Sequence, residues 1–255
     1  MSTVFEAGIL AGKTAFIAGG SSGINLGIAH GLAAAGARIS LISRSAERVA
    51  KAVDALRAEG HTAIGSSADV RHYEDVSKAL QETSGQFGDI DIVVSGAAGN
   101  FLAAANTLSA NGFKTVIDID LLGTFNVFRA SFDYLRKPGA ALVAITAGQA
   151  ERPKPDQIHA CAAKAGVNMV TKCLALEWGQ YGIRVNGISP GPIEDTEGMK
   201  RLAPSIEAET ALKRRIPLGR YGEKSEIADL TVFLCSDAAR YITGSILTCD
   251  GGSNL

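Results

Sequence analysis

No apolar run in this 255-residue sequence reaches the ~18–20 residues that a bilayer-spanning helix needs. A membrane span is therefore not expected. Basic excess is also missing: 25 Lys and Arg stand against 26 Asp and Glu, a formal net charge of -1. That balance argues against nucleic acid or an anionic membrane surface as a partner, since both select a basic face. Cysteine is scarce. Cys161, Cys173, Cys235 and Cys249 include no close pair of metal-ligand type, so no metal site is expected and the four read as reduced thiols. Cys161 and Cys173 are expected to be helix packing residues. The opening residues Met1–Glu6 carry no basic stretch ahead of an apolar run, which predicts no secretory signal. Linkers, low-complexity segments and shifts of composition are absent too. A single domain over residues 1–255 is the simplest expectation.

What is present is apolar material and rhythm. Hydrophobic residues make up 46% of the chain, enough for a full core. Short runs rich in β-branched residues recur at Thr14–Ala18, Arg38–Ser43, Thr62–Ser66, Ile90–Ser95, Ala141–Thr146, Arg184–Ser189 and Ser245–Thr248. Stretches of helical period lie between most of them, such as Ile24–Ala35, Ala46–Glu59 and Asp75–Phe87. Runs apolar on both faces suit a parallel sheet covered on both sides. The alternation predicts an α/β, doubly wound Rossmann-type sheet of about seven parallel strands with helices on both faces. Two places break the rhythm. Asn111–Lys137 reads as one long helical stretch. Gly191–Arg220 is a long excursion before the last strand, and we expect a substrate lid at about 191–220.

The first strand runs into Gly19-Gly20-Ser21-Ser22-Gly23-Ile24, and a helix follows. Glycines let a backbone turn tightly against a pyrophosphate, and the helix start offers free N–H groups to the anion. A Gly-rich turn alone is a weak signal; between a first strand and a first helix it is a strong one. Sites for NAD usually place an acid at the end of the second strand, to accept from the ribose 2′-hydroxyl. Here that strand ends Ser43-Arg44-Ser45. Arg44 can pair with a 2′-phosphate and the serines can hydrogen-bond to it, so the expected cofactor is NADPH. The plain alternative for Arg44 is a solvated loop residue.

With these residues in view, the sequence resembles the short-chain dehydrogenase/reductase family over about residues 11 to 252. The resemblance rests on the Gly-rich turn, Ala68-Asp69-Val70, Ser95-Gly96-Ala97-Ala98-Gly99, Lys164, Arg184-Val185-Asn186, Pro190-Gly191-Pro192-Ile193, Thr243-Gly244 and Asp250-Gly251-Gly252. It implies that Asp69 and Val70 contact the adenine, that Ala97, Ala98 and Gly99 lie along the cofactor, and that Pro190, Gly191 and Ile193 lie near the nicotinamide. It implies that Lys164 binds the nicotinamide ribose. One departure is Asn25, where the family has its third glycine; the turn is expected to be intact but altered at the helix start.

A second departure bears on the reaction. Most members use a Ser, a Tyr and a Lys, with an Asn nearby; the Tyr serves a substrate oxygen as acid or base. This sequence keeps Lys164, but Ala160 stands at the Tyr position, Ala147 at the Ser position beside Thr146, and Asp120 at the Asn position. His159 is adjacent to the missing Tyr, yet one residue along a helix rotates a side chain by roughly 100°. It reads as a replacement acid or as a packed residue at the helix start. The branch that this pattern resembles is the 2,4-dienoyl-CoA reductases of peroxisomal type. Ala97-Ala98-Gly99-Asn100-Phe101, Asp118-Ile119-Asp120, Gly123-Thr124-Phe125-Asn126-Val127, Ile145-Thr146-Ala147, Glu177-Trp178-Gly179 and Thr196-Glu197-Gly198 carry it.

Reduction of a dienoyl thioester delivers the final proton to carbon, so a phenol aimed at oxygen is not obligatory. Asp120 shares a three- and four-residue spacing with Val116, Ile117, Thr124 and Val127, which turns it inward. It is expected to relay a proton through water, with a purely structural carboxylate as the alternative. Lys164 is expected to stabilise the anionic intermediate as well. Asp118 is expected to point elsewhere.

At the substrate end, the resemblance makes Asn100 and Phe101 acyl-site residues, with His159 beside them; the alternative for Phe101 is a core residue. Lys200, Arg201, Lys213, Arg214 and Arg215 offer basic groups to an acyl-CoA, or are solvated helix faces. Two other functions stay open: a carbonyl reductase using His159 or Thr146, and a dinucleotide-binding protein with little catalysis. The last residues, Ser253-Asn254-Leu255, are not a peroxisomal Ser-Lys-Leu address. On the resemblance, a cytoplasmic homotetramer is expected.

Overall fold

Seven parallel strands form one sheet in the computed structural model, which describes residues 4–196 and 205–255. The strands are β1 (Thr14–Ala18), β2 (Arg38–Ser43), β3 (Ala63–Ser67), β4 (Ile92–Ser95), β5 (Ala141–Ile145), β6 (Arg184–Pro190) and β7 (Ile246–Cys249), in the spatial order β3-β2-β1-β4-β5-β6-β7. The helices are α1 (Gly23–Ala34), α2 (Ala46–Ala58), α3 (Tyr73–Phe87), α4 (Ala110–Val116), α5 (Gly123–Ser131), α6 (Ile158–Trp178), α7 (Ile206–Arg214) and α8 (Lys224–Cys235). The expected Rossmann-type doubly wound fold is the fold observed.

The central strands are buried on both faces, which is why they read as unbroken apolar runs. Side chains alternate across the pleat. Ala15 and Ile17 of β1 join a core with α1, α2 and α8, whereas Phe16 and Ala18 join the opposite core with α3, α5 and α6. The order of strands reverses direction between β1 and β4, so the crevice at their carboxyl ends is the switch point where such sheets bind ligands.

Three expectations change. The Ile90–Ser95 run starts its strand only at Ile92, because Ile90 instead bridges to Leu135 outside the sheet. The stretch Asn111–Lys137 is not one helix. After α4 comes a π-helical turn, Ile117–Leu122, then α5 and a short tight turn at Phe132–Tyr134. A π turn inserts an extra residue and shifts the facing of everything after it; such turns cluster at functional sites. This one contains Asp120. Finally, Cys173 is exposed on α6 and Cys161 only half-buried. Burial raises the thiol of Cys235 to about 12.

Only parts of the excursion after β6 lie within the described residues. Ile193 pairs with Gly222, and Leu218 N–H donates to the Gly251 carbonyl, so both ends are stitched to the sheet edge. Glu197, Gly198, Lys200 and Arg201 lie outside the described residues.

Candidate active site

A cavity of about 490 Å³ opens at the switch point. Its first wall is the turn from β1 to α1. Gly19 has φ +79°, and a Cβ there would come 2.8 Å from the backbone nitrogen of Ala97. Only glycine allows the β1 and β4 turns to approach this closely. Ser21, Ser22, Gly23 and Ile24 continue the wall, and the Ser21 hydroxyl donates to that of Ser43 at 2.8 Å. Ser43 and Arg44 line the far end of this half. Arg48 lines it too, brought in because Ser45 caps α2 and accepts from the Arg48 N–H at 3.2 Å. Sequence reading passed over Arg48; its position one helical turn beyond Arg44 was the available signal. Asp69 and Val70 form the next edge. The Arg71 side chain beside Asp69 holds its carboxyl below the usual carboxylate range, against a smaller opposing effect of burial.

The other half is built by β4, the π turn, β5 and α6. Ala97, Ala98 and Asn100 line it, with Pro190 and Gly191 opposite. Gly99 lies just behind, and its N–H donates to Asp120 Oδ1 at 2.8 Å. Asp120 Oδ2 lies 3.2 Å from Lys164 Nζ. Lys164 Nζ also donates to the Ile145 carbonyl at 3.0 Å. The acid is 1% exposed and the lysine 7%, and both still line the cavity. Buried charges are tolerable only when paired and hydrogen-bonded, and each has a charged and a neutral partner. The π turn is further held where Thr124 Oγ1 donates to the Asp120 carbonyl at 2.7 Å. Asp118 turns outward and pairs with Lys114.

Ala147 and Ala160 line the cavity where the family has Ser and Tyr, and Thr146 lies beside them. The Thr146 hydroxyl is buried with no partner among the described residues. His159, one residue away from Ala160, does not line the cavity and is fully buried. Its Nε2 donates to the Phe101 carbonyl at 3.0 Å and its ring stacks on that of Phe101, with centroids 4.5 Å apart. Its Nδ1 has no partner among the described residues. Phe101 is 40% exposed and lies outside the cavity wall, as does the buried Ile193. Asn100 Nδ2 donates to Gln157 at 2.8 Å. Of the basic residues in the excursion, Lys213 pairs with Glu209, while Arg214 and Arg215 are exposed and none of the three lines the cavity.

This cavity has the features a nicotinamide dinucleotide requires. Its lining brings together a glycine turn, a helix start, two guanidinium groups and an ammonium. The Thr146 hydroxyl and the Asn25 amide oxygen are buried without a hydrogen-bond partner among the described residues, as groups that a bound ligand satisfies often are. No group of residues among those described is arranged to hold a metal ion.

The architecture and this crevice define a dinucleotide-dependent oxidoreductase. Residues 18–254 match the family described as enoyl-(acyl carrier protein) reductase. The chain belongs to the short-chain dehydrogenase/reductase family, and it is an enzyme of that family using a nicotinamide cofactor. It is 43% identical to a peroxisomal 2,4-dienoyl-CoA reductase, (3E)-enoyl-CoA-producing, of Arabidopsis thaliana, over 99% of this chain and 88% of that protein. It is 38% identical to a probable 2,4-dienoyl-CoA reductase, (2E)-enoyl-CoA-producing, of Bacillus subtilis, over 95% of this chain and 97% of that protein. Among solved structures it is similar to a gluconate 5-dehydrogenase of Burkholderia cenocepacia in complex with NADP and tartrate, with TM-score 0.90, 33% identity and 95% of each chain covered.

Proposed function

We propose that this protein is an NADPH-dependent reductase of conjugated enoyl and dienoyl thioesters of CoA, like the 2,4-dienoyl-CoA reductases it resembles. The observation that carries this reading is the pairing of Asp120 with Lys164 in a cavity whose Tyr position is Ala160. A carbonyl reducer needs an acid aimed at oxygen; this site has an acid and a cation suited to carbanion chemistry.

NADPH supplies the hydride when bound. Gly19 and Ser21–Ile24 form the pyrophosphate turn in this reading, Arg44 and Arg48 take the 2′-phosphate, Asp69 and Val70 flank the adenine, and Pro190 and Gly191 flank the nicotinamide. Lys164 binds the nicotinamide ribose. Its charge also stabilises the negative charge that spreads toward the thioester oxygen. Hydride goes to the distal conjugated carbon; Asp120 orients a water that delivers a proton to the substrate's α carbon and is reprotonated from bulk solvent, and Lys164 keeps the carboxylate in place. Protonation there leaves the double bond at C3, the product in the name of the Arabidopsis thaliana relative. Asn100 and the Phe101 turn, anchored by His159, border the acyl chain. The excursion over about 191–220 closes over the substrate as a lid of the one domain.

The deciding experiment follows NADPH oxidation with 2,4-hexadienoyl-CoA and with a panel of ketones. Oxidation with the dienoyl thioester is the expected result. Activity on ketones alone would reject the reading, and activity on neither would favour a dinucleotide-binding protein with little catalysis.

We also propose a homotetramer. Leu122 at the end of the π turn, Phe125 on α5, and Met169 and Leu176 on α6 are exposed apolar side chains, a pattern that a second copy would cover. Light scattering on the purified protein tests it. No helix of the described residues is long and apolar enough to cross a membrane. A cytoplasmic location is proposed, although several relatives carry the word peroxisomal in their names; cell fractionation distinguishes the two.

A further inference from the structure

Asn25 stands in the first turns of α1, 8% exposed, and lines the cofactor cavity. Its Nδ2 donates to the Gly96 carbonyl at 2.7 Å and, more weakly, to the Gly19 carbonyl at 3.4 Å. Gly19 directly follows β1 and Gly96 directly follows β4, the two strands that flank the switch point. One side chain therefore ties together the two backbone turns between which the dinucleotide would lie. The fit is reciprocal. A methyl group on Gly96 would overlap the Asn25 amide, so a side chain at 25 requires none at 96.

The other end of the amide is unused. Asn25 Oδ1 is buried with no partner among the described residues, an unusual and costly state for a carbonyl oxygen. An amide oxygen only accepts. The pyrophosphate and 2′-phosphate oxygens of NADPH also only accept when ionised, so they cannot satisfy it. A ribose hydroxyl can. The adenosine ribose of NADPH has a single free hydroxyl, at the 3′ position, because the 2′ position is phosphorylated.

We infer that Asn25 is a cofactor-binding residue that clamps the β1 and β4 turns through Nδ2 and accepts, through Oδ1, from the 3′-hydroxyl of the adenosine ribose. This rests on the dinucleotide reading of the cavity. The altered third glycine is then a substitution of one grip for another. A turn with glycine at 25 approaches the cofactor by backbone; this turn approaches it with an amide.

Calorimetric titration of the intact protein with 2′,5′-ADP and with its 3′-deoxy analogue tests the contact without catalysis. Wild type should bind the 3′-deoxy ligand about ten-fold more weakly, the effect of one buried hydrogen bond. Asn25→Gly should bind the two ligands alike. A wild-type discrimination that persists in Asn25→Gly, or its absence from wild type, overturns the contact. The clamp is tested by thermal denaturation. Gly96→Ala should lower the midpoint, and Asn25→Gly placed on top of it should restore most of the loss. A double variant no more stable than Gly96→Ala overturns the interlock. Wild type that binds neither 2′,5′-ADP nor NADPH removes the dinucleotide reading itself, an outcome distinct from tight binding without 3′ discrimination.

Discussion

Asp120 Oδ2 and Lys164 Nζ lie 3.2 Å apart inside the protein, and each is held by a second, neutral partner: the Gly99 N–H for the acid and the Ile145 carbonyl for the base. The pair is poised but not saturated, since a carboxylate accepts about four hydrogen bonds and an ammonium donates three. Both residues line the cavity. An ion pair kept only for stability would more often be replaced by apolar packing at no loss.

Replacing Asp120 with Asn preserves shape while removing the charge and the proton relay. Turnover of Asp120→Asn on 2,4-hexadienoyl-CoA should fall by roughly 10²–10⁴-fold, with the dissociation constant for NADPH changed far less. Lys164→Ala should also lose turnover more than cofactor affinity. Steady-state kinetics beside fluorescence titration check both, and near-normal turnover in either variant removes that residue from the mechanism.

Arg44 and Arg48 line the same end of the cavity, and no acid stands at the end of β2. Wild type should bind NADPH more tightly than NADH. Arg44→Ala should weaken NADPH by about 10–100-fold, the range of a charge-assisted hydrogen bond, and leave NADH little changed. Arg48→Ala should act in the same direction. Equal wild-type affinities for the two cofactors would sink the assignment.

His159 is placed to hold a loop. Its Nε2 serves the Phe101 carbonyl and its ring the Phe101 face, away from the cavity. His159→Phe should raise KM for the acyl substrate by a few-fold, on the order of one lost hydrogen bond. The pH profile of kcat should keep its shape. Disappearance of an ionisation from that profile would return His159 to the role of acid.

Arg220 and Glu226 form a bidentate pair at the foot of the excursion, and Glu226 also accepts from the Glu223 N–H at the start of α8. The Arg220 guanidinium lowers Glu226 from its ordinary 4.5 to about 2. A carboxyl lowered on folding adds stability that is full above the ordinary value and is lost as the pH falls toward the folded value. Glu226→Gln should therefore melt about 1–3 °C below wild type at neutral pH, a small effect because the pair is largely exposed. The gap should close on acidification below about 4.5. Thermal scans across that range decide it, and a gap that widens with acid contradicts the assignment.

The sequence by itself determined the elements and the class of site. Short runs apolar on both faces, rich in β-branched residues, marked the buried strands, and the glycines of Gly19–Gly23 marked a tight turn between the first strand and the first helix. The absence of a phenol at Ala160 was legible from the letter alone, and among the described residues the fold brings no tyrosine to the cavity wall. What tertiary structure decided lies between distant positions. Asn25 meets Gly96 across 71 residues and Gly99 meets Asp120 across 21; periodicity reports which face a residue occupies, not which partner waits there. The π turn at Ile117–Leu122 was likewise hidden, because its apolar spacing continues that of the helices beside it. The facing of His159 was hidden for a related reason. Its place beside Ala160 in the chain put it near the site, but the helix turned it toward the Phe101 loop, where stacking and a carbonyl hold it.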